Sequence, residues 1–191
     1  MIIAIDGTTA SGKGTLARAL AKHYRLARLD TGALYRAVAL AVLDSGGDPA
    51  DSAAAEQAAR GLDLSAIDEY RIRAGAVGLA ASVVAGNQKV RAILFDAQRA
   101  FAHQPGGAVL DGRDIGTVIC PDADVKFFVD ASLEERTRRR HAELKGRGEK
   151  VEFEALKTQI EERDRRDRER PIAPLKTGAG RALARYYPRS L

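Results

Sequence analysis

The chain has 191 residues, 45% of them hydrophobic and 30% charged, a balance that suits one α/β domain with a sizeable core and excludes a disordered chain. Its net charge of +5 could point to nucleic acid, but Arg181, Arg185 and Arg189 lie in an acid-free tail, most other arginines stand among carboxylates, and aromatics make up only 5%. Stable nucleic-acid binding is therefore not expected; nor are a membrane span, a signal peptide or, with Cys120 alone, an internal disulfide, and the expectation is a cytoplasmic monomer.

Ile2-Ile3-Ala4-Ile5 reads as a buried parallel strand ending at Asp6-Gly7. Beyond a glycine-rich segment, Leu16, Leu20 and Tyr24 recur every four residues and mark an amphipathic helix. A short strand over 26–29 stops at Asp30. There Asp30 or Thr31 caps a helix bearing Leu34, Val38, Ala41 and Val42, ended by Gly46-Gly47. Alanine-rich helical segments follow around 52–60 and 76–103, then strands over 108–111 and 125–129. Ser132 and Glu135 form a capping box, a glycine-broken charged loop covers 145–149, and a long charged helix starts near Glu152. Such alternation predicts a parallel sheet with ligands beyond the carboxyl ends of its strands, where Gly7, Asp30, Asp111 and Asp130 fall.

Gly7, Thr8, Thr9, Ala10, Ser11, Gly12 and Lys13 have Walker A spacing, between a strand and a helix. Glycines let backbone N–H groups curl around phosphate oxygens, the helix adds its positive end, and Lys13 reaches the outer phosphates. The strict motif has a hydroxyl where Gly14 stands; here it comes one place later, at Thr15, an ending common among nucleoside monophosphate kinases. The expected donor is therefore ATP, with Mg²⁺ held through its phosphates, Thr15 and water.

Transfer between two anions needs several fixed cations, and Arg36, Arg91, Arg113, Arg163, Arg166 and Arg170 are the candidates. Lys13, Arg113, Arg163 and Arg166 are the expected catalytic set. Arg163, Arg166, Asp167 and Arg170 share one face by helical periodicity. Arg136, Arg139 and Arg140 form a second stripe, from which Arg139 is assigned to ATP. His23, His103 and His141 have no acidic partner at useful spacing and read as incidental.

Several blocks resemble bacterial cytidylate kinase: Gly7–Thr15, Asp30-Thr-Gly-Ala-Leu-Tyr-Arg36, Ala81-Ser82 with Val90-Arg91, Asp111-Gly-Arg-Asp-Ile-Gly-Thr-Val118, Pro121-Asp-Ala123, Asp130-Ala-Ser132 with Glu135-Arg136, and 162–170 followed by Ala173-Pro-Leu175. The resemblance implies a P-loop NTPase three-layer sandwich with a parallel sheet, adenylate-kinase-like, and Mg²⁺-dependent phosphorylation of CMP and dCMP by ATP in pyrimidine metabolism. It implies that Ser82, Arg91 and Asp114 read the cytosine, Asp114 accepting from its exocyclic amine. Arg36, Arg113 and Arg163 would hold the acceptor phosphate, Asp167 and Arg170 would lie near the sugar, and Thr31 and Asp111 complete the acceptor side. The residues alone leave open another acceptor, such as UMP, AMP or shikimate, and a non-catalytic RNA-binding relative.

One kinase domain is expected over 1–191, with a lid about 139–160. Two regions depart from the family. The monophosphate-binding segment, about 52–100, is reduced, because 62–75 is short and lacks alternating apolar residues. The tail 178–191 departs where the family has a final core strand and closing helix; regrouping a back-translation one base later restores a strand-like sequence. The expectation is a frameshifted tail, a sheet lacking its final edge strand, and low stability.

Overall fold

The computed structural model describes residues 1–63 and 66–177, together with the backbone of 182–185. Its central strand is β1 (Ile2–Gly7), whose Ile3, Ala4 and Ile5 are almost wholly buried, as a strand covered on both faces must be. Around it β2 (Ala27–Asp30), β3 (Ala108–Gly112), β4 (Val125–Asp130) and β5 (Ala182–Arg185) build a five-stranded sheet in the order β2-β3-β1-β4-β5. β1 pairs in parallel with β3 on one side and β4 on the other, and β4 with β5. From β1 the chain travels towards the β2 edge, and from β3 it travels the other way, to β4. The order therefore reverses between two central strands, where α/β sheets open a crevice at their carboxyl ends.

The seven α-helices among the described residues are α1 (Lys13–Tyr24), α2 (Thr31–Asp44), α3 (Ser52–Arg60), α4 (Gly75–Val84), α5 (Gln88–Ala102), α6 (Leu133–Gly146) and α7 (Phe153–Glu169). The chain divides into two compact units, 1–29 with 101–191 and 30–100. In the first, Ala17 and Ala21 of α1 pack with Ile3, Ile5, Val109 and Val129, the alanines letting the helix lie close to the sheet. A separate cluster of Leu144, Leu156 and Ile160 joins α6 to α7. The second unit is helical, with Ala33, Ala37 and Ile72 packed beside Leu40, Leu62 and Ile67.

Local signals behave as their chemistry dictates. Asp30, not Thr31, caps α2, its carboxylate accepting from the Ala33 N–H at 3.2 Å. Ser132 accepts from the Glu135 N–H at 3.2 Å, while the Glu135 carboxylate is engaged by Arg138 and Arg139. Three expectations are corrected. The segment 76–103 is two helices, interrupted at 85–87 where Gly86 and Asn87 break the pattern. Helix α6 runs on through Lys145 and Gly146, so the charged loop begins only at Arg147. The final edge strand is present: Ala182–Arg185 pairs with Phe127–Asp130 of β4. An edge strand needs only main-chain pairing from a short stretch without proline, and Ala-Leu-Ala-Arg supplies that whatever its origin. The premise for low stability, a missing strand, is thereby removed; 178–181 and 186–191 lie outside the described residues.

Candidate functional site

The turn after β1 is shaped by three left-handed or otherwise special residues. Gly7 has φ 153°, and a Cβ there would lie 1.9 Å from the Val129 carbonyl oxygen, so no other residue fits against β4. Ala10 (φ 58°) and Gly12 (φ 99°) are left-handed, which curls the backbone into an anion-binding concavity ahead of α1. Lys13, the first residue of α1, bends back across it and donates from Nζ to the Thr8 carbonyl at 2.7 Å. The buried Ser11 hydroxyl has no hydrogen-bond partner, a polar atom available to a bound phosphate. A Cβ at Gly14 would lie 3.4 Å from Arg28 Nη2 and 3.7 Å from Asp111 Oδ2. The place of the usual hydroxyl is thus occupied by an Arg28–Asp111 ion pair at 2.9 Å.

The loop is braced from several sides. Thr8 Oγ1 donates to Asp130 Oδ1 at 2.6 Å, tying it to the end of β4. Arg139 donates to the Ser11 carbonyl at 3.2 Å, which keeps this arginine beside the loop. Arg136 is different. It is buried against Asp164 at 2.5 Å and donates to the Thr9 carbonyl, while Asp164 accepts from the Thr9 N–H at 3.3 Å. Arg136 is therefore an anchor under the loop rather than a member of an exposed phosphate stripe, and Arg140 pairs with Glu143.

Beyond β3 the segment 111–114 is held from β1. Asp6, fully buried, accepts from the N–H groups of Ile115 and Gly116 at 2.7 and 2.9 Å. Those residues open a five-residue π-helical turn, Ile115–Ile119, and the carboxylate sits at its positive end. Arg113 and Asp114 are thereby fixed just ahead of that turn. Arg113 donates from Nε to Asp167 Oδ2 at 2.7 Å, and Asp114 lies 3.5 Å from Arg170 Nη2. Burial opposes the charge of Asp167, but Arg113 and then Arg163 and Arg170 outweigh it and hold the carboxyl below its ordinary range. Burial likewise opposes the charge of Arg113, and Asp167, then Asp164 and Asp6, raise its pKa nonetheless.

Asp167 thus contributes stability that is complete above its ordinary pKa of 3.8 and is lost as pH falls through the lower folded value. Asp167→Asn is expected to lower unfolding free energy at pH 7 by about 1.5–3 kcal/mol, a charged hydrogen bond's share. The gap to wild type should narrow steadily below pH 3.8 in urea titrations; a gap independent of pH would contradict this origin.

Within the first unit the structure brings together the loop 7–15, Arg113, Asp114, Asp167 and Arg170 at the carboxyl ends of β1 and β3 and the end of α7, with Arg163 and Arg166 half-buried on α7. Arg170 itself is the residue after α7, not part of its face. Asp111 bonds Arg28 through Oδ1. In the second unit, Arg36 pairs with Asp30 at 2.8 Å and its buried Nε has no hydrogen-bond partner. Arg91 lies 5.7 Å over the Tyr35 ring and donates to the Ala85 carbonyl; Thr31 and Ser82 are buried, and the Ser82 hydroxyl has no partner. His103 does have an acidic partner, Asp122 at 3.0 Å, in a pairing exposed on the surface.

Sequence reasoning missed Arg28, Asp6 and Asp164. A carboxylate directly before the loop, and another one turn from Asp167, were the available signals. The family model described as Cytidylate kinase matches residues 3–184. The chain belongs to the cytidylate kinase family. It is 62% identical over 176 residues to a cytidylate kinase of Methylobacterium sp. (strain 4-46), spanning 92% of this chain and 84% of that one. A cytidylate kinase of Methylocella silvestris is 61% identical over 92% of this chain and 82% of its own length. That of Nitrobacter winogradskyi is 57% identical over 94% and 84%. The P-loop fold is that of a cytidylate kinase, and no helix among the described residues is long and apolar enough to cross a membrane.

Proposed function

We infer that this member of the cytidylate kinase family phosphorylates CMP and dCMP to their diphosphates, with ATP as donor. The observation that carries the reading is Arg113-Asp114, fixed by Asp6 and Asp167 beside a phosphate loop, so that a cation for a phosphate and a carboxylate for an amine leave one short turn. Asp114 accepts from the cytosine amine, which uracil lacks; Ser82 and Arg91 complete base recognition, and the unpartnered Ser82 hydroxyl supports that role. Arg36, Arg113 and Arg163 hold the acceptor phosphate, and Asp167 and Arg170 orient the sugar side.

In the reaction an acceptor phosphate oxygen bonds to the γ-phosphorus as the bond to the β–γ bridging oxygen breaks, and ADP leaves. The acceptor oxygen is already anionic, so no general base is required and positioning carries most of the catalysis. Lys13, Arg163 and Arg166 spread the charge of the moving phosphoryl group. Among the described residues no cluster of three or more His, Cys, Asp or Glu side chains is assembled for a metal ion. The Thr15 hydroxyl, in the first turn of α1, would help to hold an Mg²⁺ ion together with the triphosphate and water. Bound there, Mg²⁺ neutralises phosphate charge. We assign acceptor binding to 52–100, closure to a lid at 139–160, and the setting to the cytoplasm, with the chain acting as a monomer.

ADP release from ATP tests the reading. Added CMP or dCMP should stimulate it strongly, and UMP or AMP should do so weakly; no stimulation by either cytidine nucleotide would overturn it.

A further inference from the structure

Thr9 belongs to the phosphate loop, yet its side chain bonds a residue far outside it. Its Oγ1 accepts a 2.7 Å hydrogen bond from Arg113 Nη2, while Arg113 Nε donates to Asp167 at 2.7 Å. The guanidinium is therefore gripped at both ends, by a loop hydroxyl and by a carboxylate of α7. Thr9 is itself immobilised, its N–H donating to Asp164 and its carbonyl accepting from Arg136, each at 3.3 Å. Those two side chains form a buried ion pair between α6 and α7. An arginine side chain has many rotamers, and holding its planar fork at two points before the ligand arrives removes most of that freedom in advance.

We propose that Thr9 is a positioning residue for the acceptor: its hydroxyl aims Arg113 at the acceptor's phosphate, and so joins the donor loop to the acceptor cation. This rests on the role given to Arg113 above. A hydroxyl at this position is needed for its acceptor lone pair, whereas donor binding needs only the backbone of residue 9. Thr9→Val keeps the shape and removes the acceptor; Thr9→Ser keeps the acceptor and removes a methyl group.

The two variants separate aim from loop structure. In steady-state kinetics with the whole chain, Thr9→Val should raise the KM for CMP about tenfold and leave the KM for ATP within about twofold, as one lost charge-assisted hydrogen bond would. Thr9→Ser should restore the CMP value to within about twofold. An unchanged KM for CMP in a CMP-active protein overturns the positioning role alone, as does a parallel rise in both KM values. A wild type that takes no CMP overturns the functional reading and this proposal together. Should Thr9→Val fail to fold, Thr9→Ala carries the same expectation.

Discussion

Asp114→Ala should reduce kcat/KM for CMP by about 10- to 150-fold while ATP binds as before. The range corresponds to about 1.5–3 kcal/mol for a hydrogen bond to a charged acceptor. Asp114 is almost fully buried beside Arg170 at 3.5 Å, and it follows Arg113 at the end of β3, outside the phosphate loop. On the proposed reading its removal takes away the acceptor for the cytosine amine, and it also breaks the Asp114–Arg170 ion pair. On the proposed reading, donor binding rests on Lys13, which bonds the Thr8 carbonyl, on the loop backbone, and on Arg139, which bonds the Ser11 carbonyl. Kinetics with CMP and calorimetry with ATP check the two halves. A variant that loses ATP affinity in step with CMP turnover would show Asp114 to be a general support of the fold.

The largest effect on stability is expected at Arg136 and Asp164. Both are nearly fully buried, and each also bonds the backbone of Thr9. Removing one partner leaves an uncompensated charge in the interior, so Arg136→Ala or Asp164→Ala should each cost about 3–5 kcal/mol. The double variant should cost much less than the sum, because no charge is then stranded. Urea unfolding of the four proteins measures this. Additive losses would mean that the two side chains act independently. The same change should loosen the loop at Thr9, so ATP affinity is expected to fall in the single variants that remain folded.

What was legible in the sequence was local. Gly7 to Lys13 can be read because its chemistry is written in consecutive residues, and the left-handed Ala10 and Gly12 sit where the spacing puts them. The Asp30 cap and the apolar face of α1 are likewise events within one or two turns. The pairings that give the site its rigidity are not local. Thr9 and Arg113 are 104 residues apart, and Asp6 and Ile115 are 109 apart. They meet only because β3 lies beside β1, a fact of strand order that periodicity does not carry. The burial of Arg136 is hidden for the same reason: a stripe of arginines on α6 gives no sign that α7 supplies Asp164. The tail was misread in the opposite direction, since a short edge strand asks so little of its sequence that an unfamiliar one still pairs.

Under the proposed function one site chooses a cytosine base by its amine. Its most direct test is a competition in a single vessel, with limiting ATP, Mg²⁺ and equal concentrations of CMP and UMP, and with CDP and UDP separated and quantified. CDP should exceed UDP by at least an order of magnitude, the discrimination expected when uracil leaves a buried acceptor unpaired. UDP in amounts equal to CDP would contradict it.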